Sequence, residues 1–488
     1  MQRLRALAGL TSILLPLAAL GAGGLKLEAC RLEHPARLLA LSAQCGTLTV
    51  PENYDKPDGR KIDLFIARVP AISLNKAPDP LFLIAGGPGT SAVDLYTSSA
   101  APFDRVRRDR DIILLDQRGT GRSHRLDCHY NQDLFQKFDE IEVGPENRNC
   151  RDELAKTSDL GQYTTSVAVK DLDAARRALG YERIDLYGGS YGTRVAQHYA
   201  RRYPKSTRAV ILDGVIYPEI VLGPDIAIDA ERALERILKR CRDDLSCSRA
   251  FHDPYVDYRE LRARLTTTPA HATVSEAATG RPINFEFTAK HLSAVLRFAS
   301  YNDDQAALLP LSLFLAAHED NFTPLANQFR VFARTLDEAF AYGMHNSVAC
   351  SEDTPFIDPA RLDRVALDAT HMGSVQVMEL VEACADWPRG VVDADLHAPL
   401  HSEAAALLLS GADDPVTPPE YAARAQKGFA DSKHVVIGGH GHGQISAPCV
   451  DRMIAAFLAA GTTQGLDTSC TKKLAPMPFF ITLAGPAP

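Results

Sequence analysis

Short, continuous apolar runs that recur along the chain constrain the fold more than any other feature. The runs are bounded by Gly or Asp and lie at residues 81–85, 112–115, 184–187, 209–212, 405–409 and 434–437. Strands covered by helices on both faces have such unbroken apolar sequences, whereas half-exposed strands alternate. Residues 193–203 add a helical stripe that Pro204 ends. The pattern predicts an α/β fold with a mostly parallel central sheet flanked by helices.

Two other regions have a different pattern. Residues 46–70 alternate apolar and polar side chains around a Pro/Asp/Gly turn at 57–59, which predicts opening antiparallel strands. From about 219 to 395 the apolar residues follow helical spacing, as at Ala230, Leu234 and Leu238, with further helical segments at 291–299, 309–318 and 324–342. We therefore expect a mainly helical cap, residues 219–395, inserted between two parts of the core, residues 23–218 and 396–488.

The N-terminus has the layout of a secretory signal peptide. Arg3 and Arg5 precede an apolar stretch at 6–20, and the small residues Gly21 and Ala22 follow. We predict a signal peptide over residues 1–22, with an uncleaved membrane anchor as the alternative. No later segment offers about 18 uninterrupted apolar residues, so no other span is expected. The protein is therefore predicted to be secreted or periplasmic.

Ten cysteines agree with export, because an even number of cysteines in an exported chain favours disulfides. They fall into five sequential neighbours, and pairing each with the next is the preferred connectivity. The formal charge is −8, and Lys and Arg form no large cluster, which argues against a nucleic-acid partner. With 45% hydrophobic residues the chain has ample material for a core.

The motif Gly188-Gly189-Ser190-Tyr191-Gly192 supplies a candidate nucleophile. A G-x-S-x-G match alone is weak, but here it directly follows an apolar run and opens a predicted helix. That strand–turn–helix context is the one in which a serine stands exposed above a parallel sheet. A helix N-terminus also favours developing negative charge beside the serine. The sequence therefore predicts Ser190 as the nucleophile.

A serine nucleophile needs a base, and the base needs an orienting carboxylate. Asp413 and Asp414 follow the run at 405–409, and His440 and His442 follow the run at 434–437. Both pairs lie where loops leave the carboxyl edge of the sheet, in the order Ser, Asp, His. We favour Asp414 and His442, with Asp413 and His440 as the second choices.

Acyl transfer also needs hydrogen-bond donors for the oxyanion. We expect the backbone amide of Tyr191, next to the nucleophile, and that of Gly87, in the loop after the run at 81–85. The Gly-rich loop at 116–123 is expected to shape and support the site without taking part in the chemistry. The activation comes from an imidazole, so neither a metal nor another cofactor is implied.

These pieces together resemble the serine aminopeptidases of the α/β-hydrolases, the prolyl iminopeptidase and tripeptidyl aminopeptidase types. The matching segments are 86–89, 116–123, 188–193, 212–215, 414–418 and 441–443, and the segment 45–51 and the tail with Cys449 and Cys470 resemble the exported tripeptidyl types. The resemblance implies an α/β-hydrolase fold with a helical cap over Ser190, Asp414 and His442. Prolyl types usually carry histidine where this chain has Ala85, which argues against a narrow proline specificity.

Recognition of a free α-ammonium requires carboxylates, because an unpaired buried charge is costly. Glu352 and Asp353, next to Cys350, are the candidates, with a solvated acidic turn as the alternative. The expected function is that of an exported serine aminopeptidase that releases N-terminal residues or short peptides through an acyl-enzyme. The alternatives are a carboxylesterase or lipase-like hydrolase of small esters or amides, and a catalytically silent binding protein. The sequence leaves the oligomeric state open.

Overall fold

A nine-stranded sheet organises the chain in a computed structural model that describes residues 25–128, 138–276 and 279–486. The predicted signal peptide, residues 1–22, lies outside the described residues. The strand order in the sheet is β1-β2-β3-β5-β4-β6-β7-β10-β11, and two further two-stranded sheets are β8–β9 and β12–β13. The strands are β1 (Glu28–Glu33), β2 (Ala40–Pro51), β3 (Lys61–Val69), β4 (Leu81–Ile84), β5 (Ile112–Leu115), β6 (Ile184–Gly189), β7 (Thr207–Asp213), β8 (Ala270–Ser275), β9 (Pro282–Phe287), β10 (Ala405–Gly411), β11 (Ser432–Ile437), β12 (Phe480–Thr482) and β13 (Gly485–Pro486).

The sheet is parallel in its main part and antiparallel at its opening. The six apolar runs form β4, β5, β6, β7, β10 and β11, which pair in parallel. The alternating segment forms β2 and β3, which pair antiparallel with each other, and β3 is antiparallel to β5. The predicted fold class, a mostly parallel sheet opened by antiparallel strands, is confirmed.

Helices cover both faces of this sheet. Along β4, Phe82 and Ile84 join one apolar cluster with α4 and α5, whereas Leu81 and Leu83 join a second cluster with α1 and α16. Strand side chains alternate between faces, so a strand covered on both sides must be apolar throughout. The helices are α1 (Ala92–Ser98), α2 (Asp104–Arg107), α3 (Val143–Leu154), α4 (Thr165–Ala178), α5 (Tyr191–Arg202), α6 (Ile226–Asp243), α7 (Leu245–Phe251), α8 (Pro254–Thr267), α9 (Ala289–Ala299), α10 (Asp303–His318), α11 (Thr323–Ala339), α12 (Tyr342–Glu352), α13 (Arg364–Ala369), α14 (Val375–Cys384), α15 (Pro419–Ala425) and α16 (Val450–Ala460).

Between β7 and β10, the helices α6 to α11 and the hairpin β8–β9 form a unit that we call the helical layer. It has an apolar cluster of its own, built from α6, α8, β8, β9, α9, α10 and α11. Helix α12 and Trp387, which lie in the predicted cap segment, instead pack in the first cluster with the sheet. The limits of the predicted cap, 219–395, remain a prediction.

Five disulfides join the ten cysteines, each to its neighbour in sequence, so the preferred connectivity is confirmed. The pairs are Cys30–Cys45, Cys128–Cys150, Cys241–Cys247, Cys350–Cys384 and Cys449–Cys470. Only the Cys241–Cys247 bridge lies in the helical layer, and both of its cysteines belong to that layer. Over the described ranges, the structure has no helix of the length and apolar character that crossing a bilayer requires.

Candidate active site

Ser190 occupies the tight turn between β6 and α5. Its backbone has φ 54° and ψ −124°, a conformation that non-glycine residues rarely adopt and that surrounding packing must hold. The flanking glycines make the turn possible. A Cβ added to Gly188 would lie 2.4 Å from the carbonyl oxygen of Gly192, and one added to Gly192 would lie 2.4 Å from that of Ile84. The turn therefore has the strand–turn–helix geometry that the motif predicts.

Two other strand ends approach Ser190. Its amide donates to the carbonyl oxygen of Asp213 at the end of β7, 2.8 Å away. On the other side, a Cβ on Gly86 would lie 2.9 Å from Cβ of Ser190, so the loop after β4 contacts the serine directly. Gly87 follows with φ +107°, and Tyr191 is the first residue of α5. Both predicted oxyanion donors thus neighbour Ser190, and their catalytic role remains a prediction.

Asp414 and His442 are in direct contact. Oδ2 of Asp414 lies 2.8 Å from Nδ1 of His442, and the carboxylate is fully buried in the loop after β10. The amides of Val416 and Thr417 donate to Oδ1 at 2.9 and 2.8 Å. The Thr417 hydroxyl donates to Oδ2 at 2.8 Å and lies 3.1 Å from Nδ1 of His442. The arrangement fixes the imidazole through one nitrogen and leaves Nε2 for another partner.

The same contacts set the charges of the pair. Burial acts to raise the pKa of Asp414, but the charge of His442, their hydrogen bond and the two amides outweigh burial and hold it below its ordinary value. Burial acts to lower the pKa of His442, and the Asp414 carboxylate overcomes it, so the pKa lies above 6.5. A base stabilised in this way is suited to accept a proton and carry the resulting charge.

His442 and Ser190 meet the same strand end. Gly214 follows Asp213, whose carbonyl holds the Ser190 amide, and a Cβ on Gly214 would lie 2.8 Å from Cε1 of His442. The ring edge with Cε1 and Nδ1 therefore lies against the end of β7, the strand end that anchors Ser190. A proton-transfer contact between Ser190 and His442 remains a prediction.

The second-choice residues contact the helical layer. Asp413 pairs with Arg240 at 3.0 Å and with Arg236 at 3.5 Å, both on α6. His440 pairs through Nδ1 with Asp303, the first residue of α10, at 2.7 Å. Asp413 and His440 thus have partners in the helical layer, whereas Asp414 and His442 contact each other.

Glu352 and Asp353 are buried beneath the elbow. Asp353 forms a two-pronged ion pair with Arg194 of α5, both contacts at 2.9 Å, and Glu352 lies 3.5 Å from the same guanidinium. Glu352 also accepts from the amide and hydroxyl of Thr165 at 2.6 and 2.9 Å, and burial raises its pKa to about 7. Both carboxyl groups thus have partners inside the protein, and contact with a substrate amine remains a prediction.

The glycine-rich loop at 116–123 lies below the site. Asp116 is buried and accepts from the Ser91 hydroxyl and the Arg122 amide at 2.7 and 2.9 Å. Arg118 is fully buried in an ion pair with Asp171, at 2.6 Å. These bonds brace the loop against neighbouring elements, in agreement with the supporting role expected of it.

Three residues near the site escaped sequence reasoning: Tyr301, Arg297 and His345. The ring of Tyr301 packs edge-on against the imidazole of His442, with centroids 5.1 Å apart, and its carbonyl accepts the His442 amide at 2.9 Å. No motif marks these residues, because the packing of the helical layer brings Tyr301 and Arg297 here and the packing of α12 brings His345. Thr417 lies within the segment 414–418, where the acid-flanking threonine was a signal that could have been used.

Two family models match the chain. One, described as alpha/beta hydrolase fold, matches residues 79–241, and the other, described as TAP-like protein, matches residues 369–470. Tripeptidyl aminopeptidase of Streptomyces coelicolor is 24% identical over 476 residues, which cover 89% of this chain and 84% of that protein.

Two mycobacterial proteins match over a shorter region. Serine protease Hip1 of Mycobacterium tuberculosis is 34% identical over 206 residues, which cover 39% of this chain and 39% of Hip1. Carboxylesterase B of the same species is 31% identical over 198 residues, 37% of each chain. The chain therefore matches about two fifths of the length of each of these relatives.

A parallel sheet with a serine elbow and an acid–histidine pair at its carboxyl edge defines the α/β-hydrolase class. Both family models and the tripeptidyl aminopeptidase match agree with that class. The family models and the peptidase relatives together support an α/β-hydrolase peptidase family for this chain.

Proposed function

We propose that the protein is an exported serine peptidase that cleaves N-terminal residues or short peptides from its substrates. The observation that carries the proposal is the buried Asp414–His442 pair, 2.8 Å apart, beside the strand end that anchors Ser190. The nearly full-length match to a tripeptidyl aminopeptidase supports peptides as the substrate class. Five disulfides support an oxidising compartment.

In the proposed reaction, Nε2 of His442 accepts the proton of the Ser190 hydroxyl as its oxygen attacks the scissile carbonyl. The amides of Gly87 and Tyr191 donate to the oxyanion of the tetrahedral intermediate. His442 then returns the proton to the leaving nitrogen, and an acyl-enzyme remains on Ser190. A water molecule, activated by the same imidazole, releases the acyl group and regenerates the serine.

The cluster of Arg194, Glu352 and Asp353 is the proposed source of amine preference. Two carboxyl groups face one guanidinium, so the cluster carries a negative charge when both are ionised. A negative potential at the buried end of the site favours a substrate that presents its α-ammonium there.

The second candidate function is hydrolysis of small esters or amides, which the match to Carboxylesterase B favours. Both functions use the same triad, so the two are distinguished by which substrates the protein hydrolyses. Purified protein is assayed on free-amine and N-acetylated peptidyl p-nitroanilides and on p-nitrophenyl esters. A peptidase of the proposed type hydrolyses the free-amine anilides and loses most of that rate on acetylation, whereas turnover of esters alone would reject it.

The nucleophile is tested separately with Ser190→Ala. We expect kcat to fall by several orders of magnitude, to about 10³–10⁴-fold over the uncatalysed rate, because triad members act as a unit. A fluorophosphonate should label Ser190 in the parent protein only. Ser98→Ala, at the exposed end of α1, is the matched control and keeps full labelling. Labelling of another serine would contradict the assignment.

A further inference from the structure

The wall that the helical layer contributes to the site contains a cation, Arg297, whose side chain hydrogen-bonds to Tyr301. Arg297 lies on α9, one turn before Tyr301, and its charge acts on the Tyr301 phenol. Tyr301 in turn packs on the imidazole of His442. A single side chain, that of Tyr301, therefore links the Arg297 guanidinium to the proposed catalytic base.

A second chain of contacts joins Arg297 to the other side of the site. His345, on α12, hydrogen-bonds to the backbone of Pro88, in the loop that contains Gly87, and the charge of Arg297 acts on its imidazole. Burial lowers the pKa of His345 to about 4, so this ring is neutral and adds no charge of its own. The charge of Arg297 thus acts both on His345, beside the proposed oxyanion loop, and on Tyr301, beside His442.

Arg297 has no acidic partner. In the part of the chain that the structure describes, no carboxylate lies within ion-pair distance of its guanidinium. Its Nε is buried without a hydrogen-bond partner, and Nδ1 of His345 is in the same condition. The side chain is half-buried and its guanidinium lies 5.0 Å from the centroid of the Phe298 ring. Its side-chain hydrogen bond is to the Tyr301 phenol and not to an acid, and a partly desolvated guanidinium without an ion-pair partner is suited to bind a carboxylate.

The position relative to His442 indicates which part of the substrate would bring that carboxylate. The imidazole must hand its proton to the leaving nitrogen, so the leaving group lies on the His442 side of the scissile bond. Tyr301 and Arg297 are on that side. Asp353, which belongs to the proposed amine-binding cluster, acts on His345 with the opposite charge.

We infer that Arg297 binds a carboxylate of the leaving group, and that the enzyme prefers short peptides whose released part carries a free C-terminal carboxylate. This inference rests on the proposed peptidase function and names its substrate class. The inferred substrate is a small zwitterionic peptide that binds with its ammonium toward the acids and its carboxylate toward Arg297.

The test compares tetra-alanine with tetra-alanine amide, with products quantified by mass spectrometry, and uses Ala-Ala-Ala-p-nitroanilide to report peptidase activity as such. For the parent protein we expect kcat/KM to be about 10- to 100-fold higher for the acid than for the amide, the range of a charge-assisted hydrogen-bonded pair. Arg297→Ala should collapse that ratio to near one, mainly through KM. Arg297→Lys should keep part of it, because the charge stays and the planar fork is lost.

Arg264→Ala is the matched control, because Arg264 is an exposed guanidinium of the helical layer that already pairs with Asp320. It should keep the parental ratio. Equal kcat/KM for tetra-alanine and its amide in the parent protein would overturn the inference. So would an Arg297→Ala variant in which kcat/KM falls for all substrates while the acid-to-amide ratio is unchanged. If the anilide and both peptides are inert, the proposed peptidase function itself fails, which is a separate outcome.

Discussion

At the scale of single residues, the Asp414–His442 pair shows how a fully buried carboxylate stays ionised. Four hydrogen bonds reach Asp414, from two amides, one hydroxyl and the imidazole. Each stabilises the charged form against the cost of burial. The neighbouring Asp413, seven per cent exposed, is paired with arginines of α6 instead. The local sequence Asp-Asp contains two carboxylates, and only their partners tell them apart.

The first prediction concerns Asp414→Asn. The imidazole must be neutral to act as a base, and the carboxylate raises its pKa, so kcat/KM of the parent protein should rise with pH along an acid limb above 6.5. Removing the negative charge lowers the pKa of His442, and the limb should move to lower pH while kcat falls by about 10³–10⁴-fold. The pH profile of p-nitroanilide hydrolysis measures both effects. Asp413→Asn is the control, and a shift of the limb in that variant but not in Asp414→Asn would reverse the assignment.

The second prediction concerns Thr417, whose hydroxyl lies between the acid and the imidazole. Thr417→Val has nearly the same shape but leaves Oδ2 of Asp414 with one donor fewer. We expect kcat to fall by about 10-fold, the cost of a hydrogen bond to a charged group, with KM little changed. Thr417→Ser keeps the hydroxyl and should restore most of the rate. A loss of rate in Thr417→Ser without a loss in Thr417→Val would show that packing of the methyl group, not the hydrogen bond, matters.

At the scale of elements, the loop that carries His442 is held by contacts with the helical layer. Asp303 at the start of α10 accepts from the amide of Gly441 at 3.0 Å and pairs with His440, and the carbonyl of Tyr301 accepts the amide of His442. A Cβ on Gly441 would lie 2.6 Å from the carbonyl oxygens of Ser300 and Tyr301, so the loop passes close to this backbone. The position of the base therefore depends on the helical layer.

The third prediction follows from that dependence. Asp303→Ala removes the acceptor for Gly441 and the partner of His440, so residues 438–443 should exchange amide hydrogens faster and kcat should drop several-fold. Hydrogen exchange read by mass spectrometry gives the first effect, and p-nitroanilide kinetics give the second. Asp304→Ala, its exposed neighbour on the same first turn, is the control. Unchanged exchange at 438–443 in Asp303→Ala would show that other contacts suffice to hold the loop.

Sequence predicted the elements of the sheet well because burial on both faces imposes an unbroken apolar pattern that can be read locally. It predicted a single helix over 324–342, whereas α11 ends at Ala339 and α12 begins at Tyr342. The break is made by a distant contact, since the amide of Ala341 donates to the carbonyl of Gly89 rather than continuing the helix. The hairpin β8–β9 was also missed, because its exposed face carries polar residues and it packs only on helices.

The candidate site divides in the same way. Ser190, Asp414 and His442 occupy loops that directly follow apolar strands, so strand order and residue type predict them. Arg297 and His345 lie on α9 and α12, and Tyr301 lies in the turn after α9; no motif includes any of them. The contact of Tyr301 with His442 depends on how the helical layer packs on the sheet, and a single sequence contains no local signal for that packing.

At the scale of the whole molecule, the disulfides reinforce separate regions. Cys350–Cys384 closes a loop of 34 residues that holds α12 near α14, and Cys241–Cys247 closes one of 6 residues between α6 and α7. The entropy that a crosslink removes from the unfolded chain grows with the logarithm of the loop length. The longer loop therefore contributes more to stability, provided that the folded state is unstrained.

The fourth prediction is that replacing both cysteines of the longer pair by serine costs about 4 kcal/mol of unfolding free energy, against about 2 kcal/mol for the shorter pair. Urea unfolding followed by circular dichroism measures both. The parent protein should show no titratable thiol when unfolded without reductant. An equal loss in the two double variants would mean that the loop-length argument does not govern this fold.

The placement of the crosslinks has one further consequence. The stretch from α6 to α11 leaves the sheet after β7 and returns through α12, and its own bridge joins it to nothing else. Besides these two chain connections, ion pairs, hydrogen bonds and packing hold the helical layer on the sheet that carries Ser190. Among the described residues no disulfide links this layer to the sheet, so a change in its position over Ser190 would break no sulfur–sulfur bond.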